Sequence, residues 1–272
     1  NYREARDTLN GILNRFDDKR LLDVPRLKEL RQDVLEKSLA FYQGILKETD
    51  TADPAVRFDA ALALEQTAHI QAALGRPREA EENMRRAVDL FDQLAAERPK
   101  DEEVSSHLAG CLGQLGLLCR FRAGPGVDAV KESLAPAERA TMDEAEGYLR
   151  RALRLQESLC EAQPDRPRWR EELAGTHRDL AGICQSARKL ELAAEHARAA
   201  LAIRSELFAA DAANSNYAAA LAQAHVHVGR ISAGHEPLGQ VESHYAEAAA
   251  RLEPLVREAE QGAESARELE HL

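Results

Sequence analysis

The chain has 272 residues, 44% of them hydrophobic but only 4% aromatic, and a net charge of -11. Alanine as the main apolar filler argues for close-packed helices and against an all-β core, which needs β-branched and aromatic residues. The acidic balance excludes broad nucleic-acid binding, which requires a basic face to displace counterions, and favours a protein or small-ligand partner.

No run of 18 apolar residues is present, so no segment reads as a membrane span, and no signal peptide is visible. The first residues, Asn1 to Ala5, already follow a helical register without an initiator Met, so the chain reads as a piece of something longer.

In chain order, the apolar spacing of Leu9, Ile12, Leu13 and Phe16 predicts a helix over 2–17. A linker, Leu21 to Pro25, leads to a second helix from about Arg26 to Lys47, ended by Asp50 to Pro54. Residues 1–54 form a degenerate, capping helix pair. Four full repeats follow over 55–260, with helices near 55–74 and 77–97, 102–121 and 141–162, 168–187 and 190–209, and 214–233 and 239–259. Gly75 and Pro77 close one helix and open the next. Residues 122–140, beginning Ala123-Gly124-Pro125-Gly126, are an insertion, and 261–272 are a charged end.

The repeats rest on spacing. Two small residues stand seven apart in each second helix: Ala80 and Ala87, Ala145 and Ala152, Ala193 and Ala200, and more weakly Val241 and Ala248. The later members step by 65, 48 and 48 residues, and the surplus of 17 falls in the insertion. Twelve residues after the second small residue come Pro99, Pro164 and Ala212; twelve before the first stand Ala68, Ala181 and Gly229. Small residues at a crossing let antiparallel helices approach closely, and a 20–50-residue period of helix pairs means an all-α solenoid of about ten helices.

This pattern resembles the tetratricopeptide repeat (TPR), in a variant with both helices extended, over roughly residues 56–260. Leu64, Leu112 and Leu180 match its bulky positions, whereas His177 and His225 depart from it. The resemblance implies a right-handed solenoid whose first helices line a concave, ligand-receiving face. That face would include Glu65, His69, Leu117, Arg120, Phe121, Arg178, Gln185, Gln223 and Arg230, with Phe121 at the end of its helix either a lid contact or a core residue. Arg120, Arg178 and Arg230 recur one per repeat, and their guanidinium forks suit a carboxylate or an acidic peptide. Their alternative role is pairing with neighbouring glutamates on a solvated face.

A narrower resemblance lies at the N-terminus. Asn14-Arg15-Phe16, Leu21 to Pro25 and Leu35 to Tyr42 are similar to the segment that opens the TPR-bearing tails of large bacterial serine/threonine protein kinases. It implies a parent with a kinase domain and a membrane helix ahead of a TPR sensor region, which would place this chain outside the cytoplasmic membrane; without that parent the chain would be cytoplasmic.

No enzyme chemistry emerges. There is no glycine-rich phosphate loop, His-Arg-Asp or Asp-Phe-Gly, and Ala123 to Gly126 lacks the Lys and Ser/Thr of a P-loop. His235-Glu236-Pro237 begins like a zincin motif but lacks the second His, and Pro237 breaks the helix that motif needs. His225 and His227 stand two apart and point to different sides of a helix, so no metal or cofactor is expected; His225 instead suits a hydrogen bond between helices. Cys111, Cys119, Cys160 and Cys184 fall in apolar helical stripes and are expected to be small buried residues. The leading function is a non-catalytic interaction module that receives an extended peptide or partner helix, as a kinase's sensor region. The alternative is a structural module that forms a homodimer.

Overall fold

A computed structural model describes residues 25–48, 53–123, 134–233 and 236–270. Among these residues the chain forms nine α-helices and no strand. They are α1 (Pro25–Glu48), α2 (Pro54–Ala73), α3 (Pro77–Glu97), α4 (Glu102–Ala123) and α5 (Pro136–Ala162). The others are α6 (Pro167–Ser186), α7 (Leu190–Ala210), α8 (Ser215–Ser232) and α9 (Leu238–Glu270). The expected helix over 2–17, the linker ahead of Pro25 and the middle of the insertion lie outside the described residues.

The helix ends follow local chemistry. Pro54, Pro77, Pro136 and Pro167 each open a helix, where a missing N–H costs nothing. Asp53 Oδ1 accepts the Ala55 N–H at 2.8 Å, and Asn214 Oδ1 accepts that of Asn216 at 3.0 Å. Asp101 Oδ1 caps α4 through Glu103 and Val104. α3, α5 and α7 end two residues before Pro99, Pro164 and Ala212, at the predicted stops.

Two boundaries differ from expectation. α5 begins at Pro136 rather than near 141, because Pro136 starts the helix and Glu138 reaches back to the Ala135 N–H at 2.8 Å. It therefore has 27 residues against 21 in α3 and α7, so part of the inserted sequence is helical. α9 runs through Pro254 to Glu270 instead of ending near 259; proline removes one helical hydrogen bond without stopping the helix.

The described helices group into two compact units that divide between Arg122 and Ala123. The first holds α1 to α4. α1 lays Leu35, Leu39 and Tyr42 against Ala63 and Ile70 of α2, and Phe91 of α3 stacks on His107 of α4 with ring centroids 5.5 Å apart. The second unit holds α5 to α9, each packed on the next in antiparallel order. There Ala181 and Cys184 of α6, Ala193 and Ala197 of α7, and Val228 and Ile231 of α8 form one core cluster.

The paired small residues are the floor of both units: Ala80, Ala87, Ala145, Ala152, Ala193 and Ala200 are all buried. Gly116 is the buried counterpart of Ala68, 48 residues on, a crossing residue hidden from the sequence pattern by the insertion. At Gly229 the approach is close, for a Cβ there would stand 3.2 Å from the Tyr245 ring of α9. Cys111, Cys119 and Cys184 are buried as expected, while Cys160 is half-buried; none of the four is in a disulfide among the described residues. This is an all-α, TPR-like fold of antiparallel helix pairs.

Candidate partner-binding surface

The first helices α2, α4, α6 and α8 carry the residues expected to receive a partner. In the first unit, Glu65 of α2 is buried, and its Oε2 lies 2.9 Å from Nδ1 of His107 on α4. His107 in turn meets the rings of Phe58 and Phe91, so Glu65 anchors a packed aromatic cluster. His69 is half-buried and its Nε2, out of contact with solvent, has no hydrogen-bond partner among the described residues. Arg120 is half-buried near the end of α4, whereas Phe121 beside it is 75% exposed. A shallow cleft between α2 and the start of α4 is lined by Phe58, Asp59, Leu62, Arg98 and Asp101.

In the second unit, Arg178 of α6 turns onto its own neighbour: its Nε and Nη2 reach Asp179 Oδ1 at 2.9 and 2.8 Å. Gln185 is half-buried, while Gln223 and Arg230 of α8 are exposed. Counted from the crossing residues Gly116, Ala181 and Gly229, the arginines stand at +4, -3 and +1. They recur once per repeat but do not occupy one repeat position. No ion pair engages Arg230 among the described residues.

Two sets of polar contacts lay beyond sequence reasoning. The first ties each second helix to the end of the next first helix. Arg76 pairs with Glu36, Arg122 with Glu81 and Lys189 with Glu146, each at 2.6 Å. Glu236 and Arg198 make the fourth contact with the charges exchanged. Glu81 and Glu146 are buried and also take Arg85 and Arg150 from the next turn of their own helices. The only signal was a glutamate–arginine spacing of four, repeated after 65 residues, and it is indistinguishable from an ordinary surface helix pair.

The second set is a repeated histidine pair. His177 of α6 faces His196 of α7 with their Nδ1 atoms 3.0 Å apart, and His225 of α8 faces His244 of α9 at 3.2 Å. The interhelical role expected for His225 is thus realised. Burial, then the neighbouring His196, pushes His177 down to about 4. Burial also lowers His196 and His225. Neutral rings fit this geometry, one Nδ1–H donating to the other's lone pair. Among the described residues no three metal-ligating side chains converge, and no helix is long and apolar enough to cross a membrane.

No protein-family model matches the chain. No curated protein matches it either. Solved structures do match. The structure of BtubC from P. vanneervenii superposes with a TM-score of 0.55 at 17% identity, covering 96% of this chain and 91% of that one. PlcR of Bacillus thuringiensis, solved with the peptide PapR7 and DNA, gives 0.51 at 10% identity over 94% and 74%. MamA gives 0.50 at 14% identity over 86% and 98%. Identities this low establish the shared fold alone, an all-α, TPR-like helical-repeat fold.

Proposed function

We propose that the chain is a non-catalytic interaction module whose first helices receive an extended, acidic peptide or a partner helix. The observation that carries this reading is Arg230, exposed on α8 and unpaired among the described residues of an acidic protein. Gln223 is exposed on the same helix, about two turns away. Arg178 contributes through a side chain 43% exposed and paired with its neighbour Asp179. A charge-assisted bond from each arginine to a carboxylate contributes about 1.5–3 kcal/mol when partly desolvated. PlcR, whose solved form includes a peptide, is a precedent for ligand binding on this fold. Phe121, exposed at the end of α4, is an apolar contact that the first unit offers by itself.

The parent protein in this proposal is a bacterial serine/threonine kinase, with the present chain as its sensor region beyond the membrane. The support is the N-terminal string resemblance; of its residues Leu35, Leu39 and Tyr42 serve the α1 core. A second reading is a module that dimerises its parent, for which the exposed apolar side chains of α9 are the surface to test.

Sedimentation of the purified chain over a hundredfold concentration range separates the two. A constant monomer, followed by a peptide panel whose acidic members bind and lose affinity on Arg178→Glu and Arg230→Glu, supports the interaction module. A reversible dimer with no peptide hit sinks it.

A further inference from the structure

α9 is the last helix of the second unit, and its outer face differs from those of the second helices before it. Met84, Leu149 and Ala197 share one repeat position, and Phe91, Gln156 and Arg204 share the position seven residues on; all are at most 5% exposed. Their counterparts on α9, Tyr245 and Leu252, are 42% and 38% exposed. Leu238 and Val256 extend the stripe, so α9 holds four of the six large hydrophobic side chains exposed among the described residues. What buries these positions earlier is the first helix of the following repeat. Ala197 is packed against Val228 and Ile231 of α8, and Arg204 donates to the Ala220 carbonyl of α8.

The four covering helices, α2, α4, α6 and α8, share a signature. From the crossing residue, Ala68, Gly116, Ala181 or Gly229, a buried Ile70, Leu118, Ile183 or Ile231 follows two places later. A charged residue comes six to eight places later, Arg76, Arg122, Lys189 or Glu236, and pairs back onto the covered helix.

The sign of that charge follows the covered helix. Glu36, Glu81 and Glu146 each receive a cation. α7 has Ala194 in the register of Glu81 and Glu146, and there Arg198 receives the acidic Glu236. α9 has Glu242 in the acid register and Ala246 in the register of Arg85, Arg150 and Arg198. Glu242 is exposed, and no ion pair engages it among the described residues.

We propose that the α9 face docks an amphipathic helix of a partner polypeptide, with a small residue, Ile or Leu two places on, and Lys or Arg six to eight places on. A second copy of α9 is a poor occupant, since α9 has the second-helix pattern and would set Tyr245 and Leu252 against bulky side chains. This surface lies on a second helix, apart from the first-helix residues of the proposed function, and stands independently of that reading.

The probe is a labelled 23-residue peptide, Pro167 to Lys189, this chain's own example of a cation-ended first helix, titrated against the 272-residue chain by fluorescence anisotropy. Saturable binding is expected, weakened about tenfold by Glu242→Lys and restored to that variant by a peptide carrying Lys189→Glu. The charge exchange locates the site on α9 and excludes peptide exchange onto α5. Leu252→Asp, on an exposed position, supplies a second variant whose melting temperature is checked beside its binding. Arg178→Glu and Arg230→Glu leave this binding unchanged, so failure here and failure of the acidic-peptide site are told apart. The proposal is overturned by no binding, by binding indifferent to Glu242→Lys, or by a dimer that Leu252→Asp dissolves.

Discussion

Lys189 Nζ lies 2.6 Å from Oε2 of Glu146, a residue 43 positions earlier, and so ties the end of α6 to α5. Glu146 is buried and holds Arg150 at 2.6 Å as well, so the carboxylate has two cations and little water. The side-chain hydrogen bond to Glu146 is also the first cause raising Lys189 above the ordinary lysine range.

Removing the lysine leaves a buried carboxylate with one cation rather than two. Lys189→Met is expected to cost about 1–2 kcal/mol, between a charge-assisted buried bond and an exposed pair. Urea unfolding of Lys189→Met, Glu146→Gln and the double variant gives the coupling directly. A coupling indistinguishable from zero would reduce the contact to a surface pair.

The histidine pairs predict a pH dependence of stability. Beside His177 and His196 stand Glu195, Glu146 and Arg150; beside His225 and His244 stand Glu247 and Arg251. His177 is pushed down to about 4 from an ordinary value of 6.5, so between those values the unfolded chain binds the proton that the folded chain refuses. Stability is therefore full above about pH 6.5 and lost as pH falls toward 4. The unscreened limit for such a shift is roughly 3 kcal/mol, and solvent around the half-buried ring reduces it to about 1 kcal/mol. Chemical denaturation at pH 7.5 and pH 5 should show the drop, and His177→Gln should flatten it; a pH-independent midpoint in the parent chain would refute the assignment.

Arg188 holds a φ of 65°, the conformation that Gly75 adopts at 74°. Both close a first helix in the same way: the Arg76 N–H reaches the Gln71 carbonyl and the Lys189 N–H reaches that of Cys184, each at 2.8 Å. A non-glycine residue there costs about 1–2 kcal/mol of backbone strain. Arg188→Gly is expected to stabilise the chain by up to about 1 kcal/mol, the loss of its side-chain interaction offsetting the rest. Gly75→Ala should destabilise through conformation alone, since nothing lies within 4 Å of its added Cβ. Thermal melts of the two variants should shift in opposite directions.

Exposed residues on the first helices should matter for ligands and not for folding. Phe121→Ser and Arg230→Glu are each expected to change unfolding free energy by no more than about 0.5 kcal/mol. Arg230→Glu should also weaken binding of an acidic peptide. A large loss of stability in either would reassign that residue to the packed structure.

Some features were legible because they are local. Proline at a helix start, glycine in a left-handed turn and alanines seven apart act through their own backbone or their own helix face. The order of the repeat helices and most of their limits follow from those residues, and so does burial of the paired alanines. α5 and α9 were misjudged at their ends. Pro136 and Pro254 carry the same residue type in opposite roles, one starting a helix and one tolerated within it.

What only the tertiary structure decided depends on which side chains meet from distant positions. Glu65 has the sequence context of an exposed helix acid, yet His107, 42 residues later, makes it an interior partner. Glu81 and Glu146 have the spacing of surface pairs and become buried anchors once Arg122 and Lys189 arrive from the next first helix. Tyr245 and Leu252 have the periodicity of core residues and remain exposed, because burial requires a covering helix and none of the described helices lies there. Periodicity specifies which face of a helix is apolar; packing alone decides what that face meets.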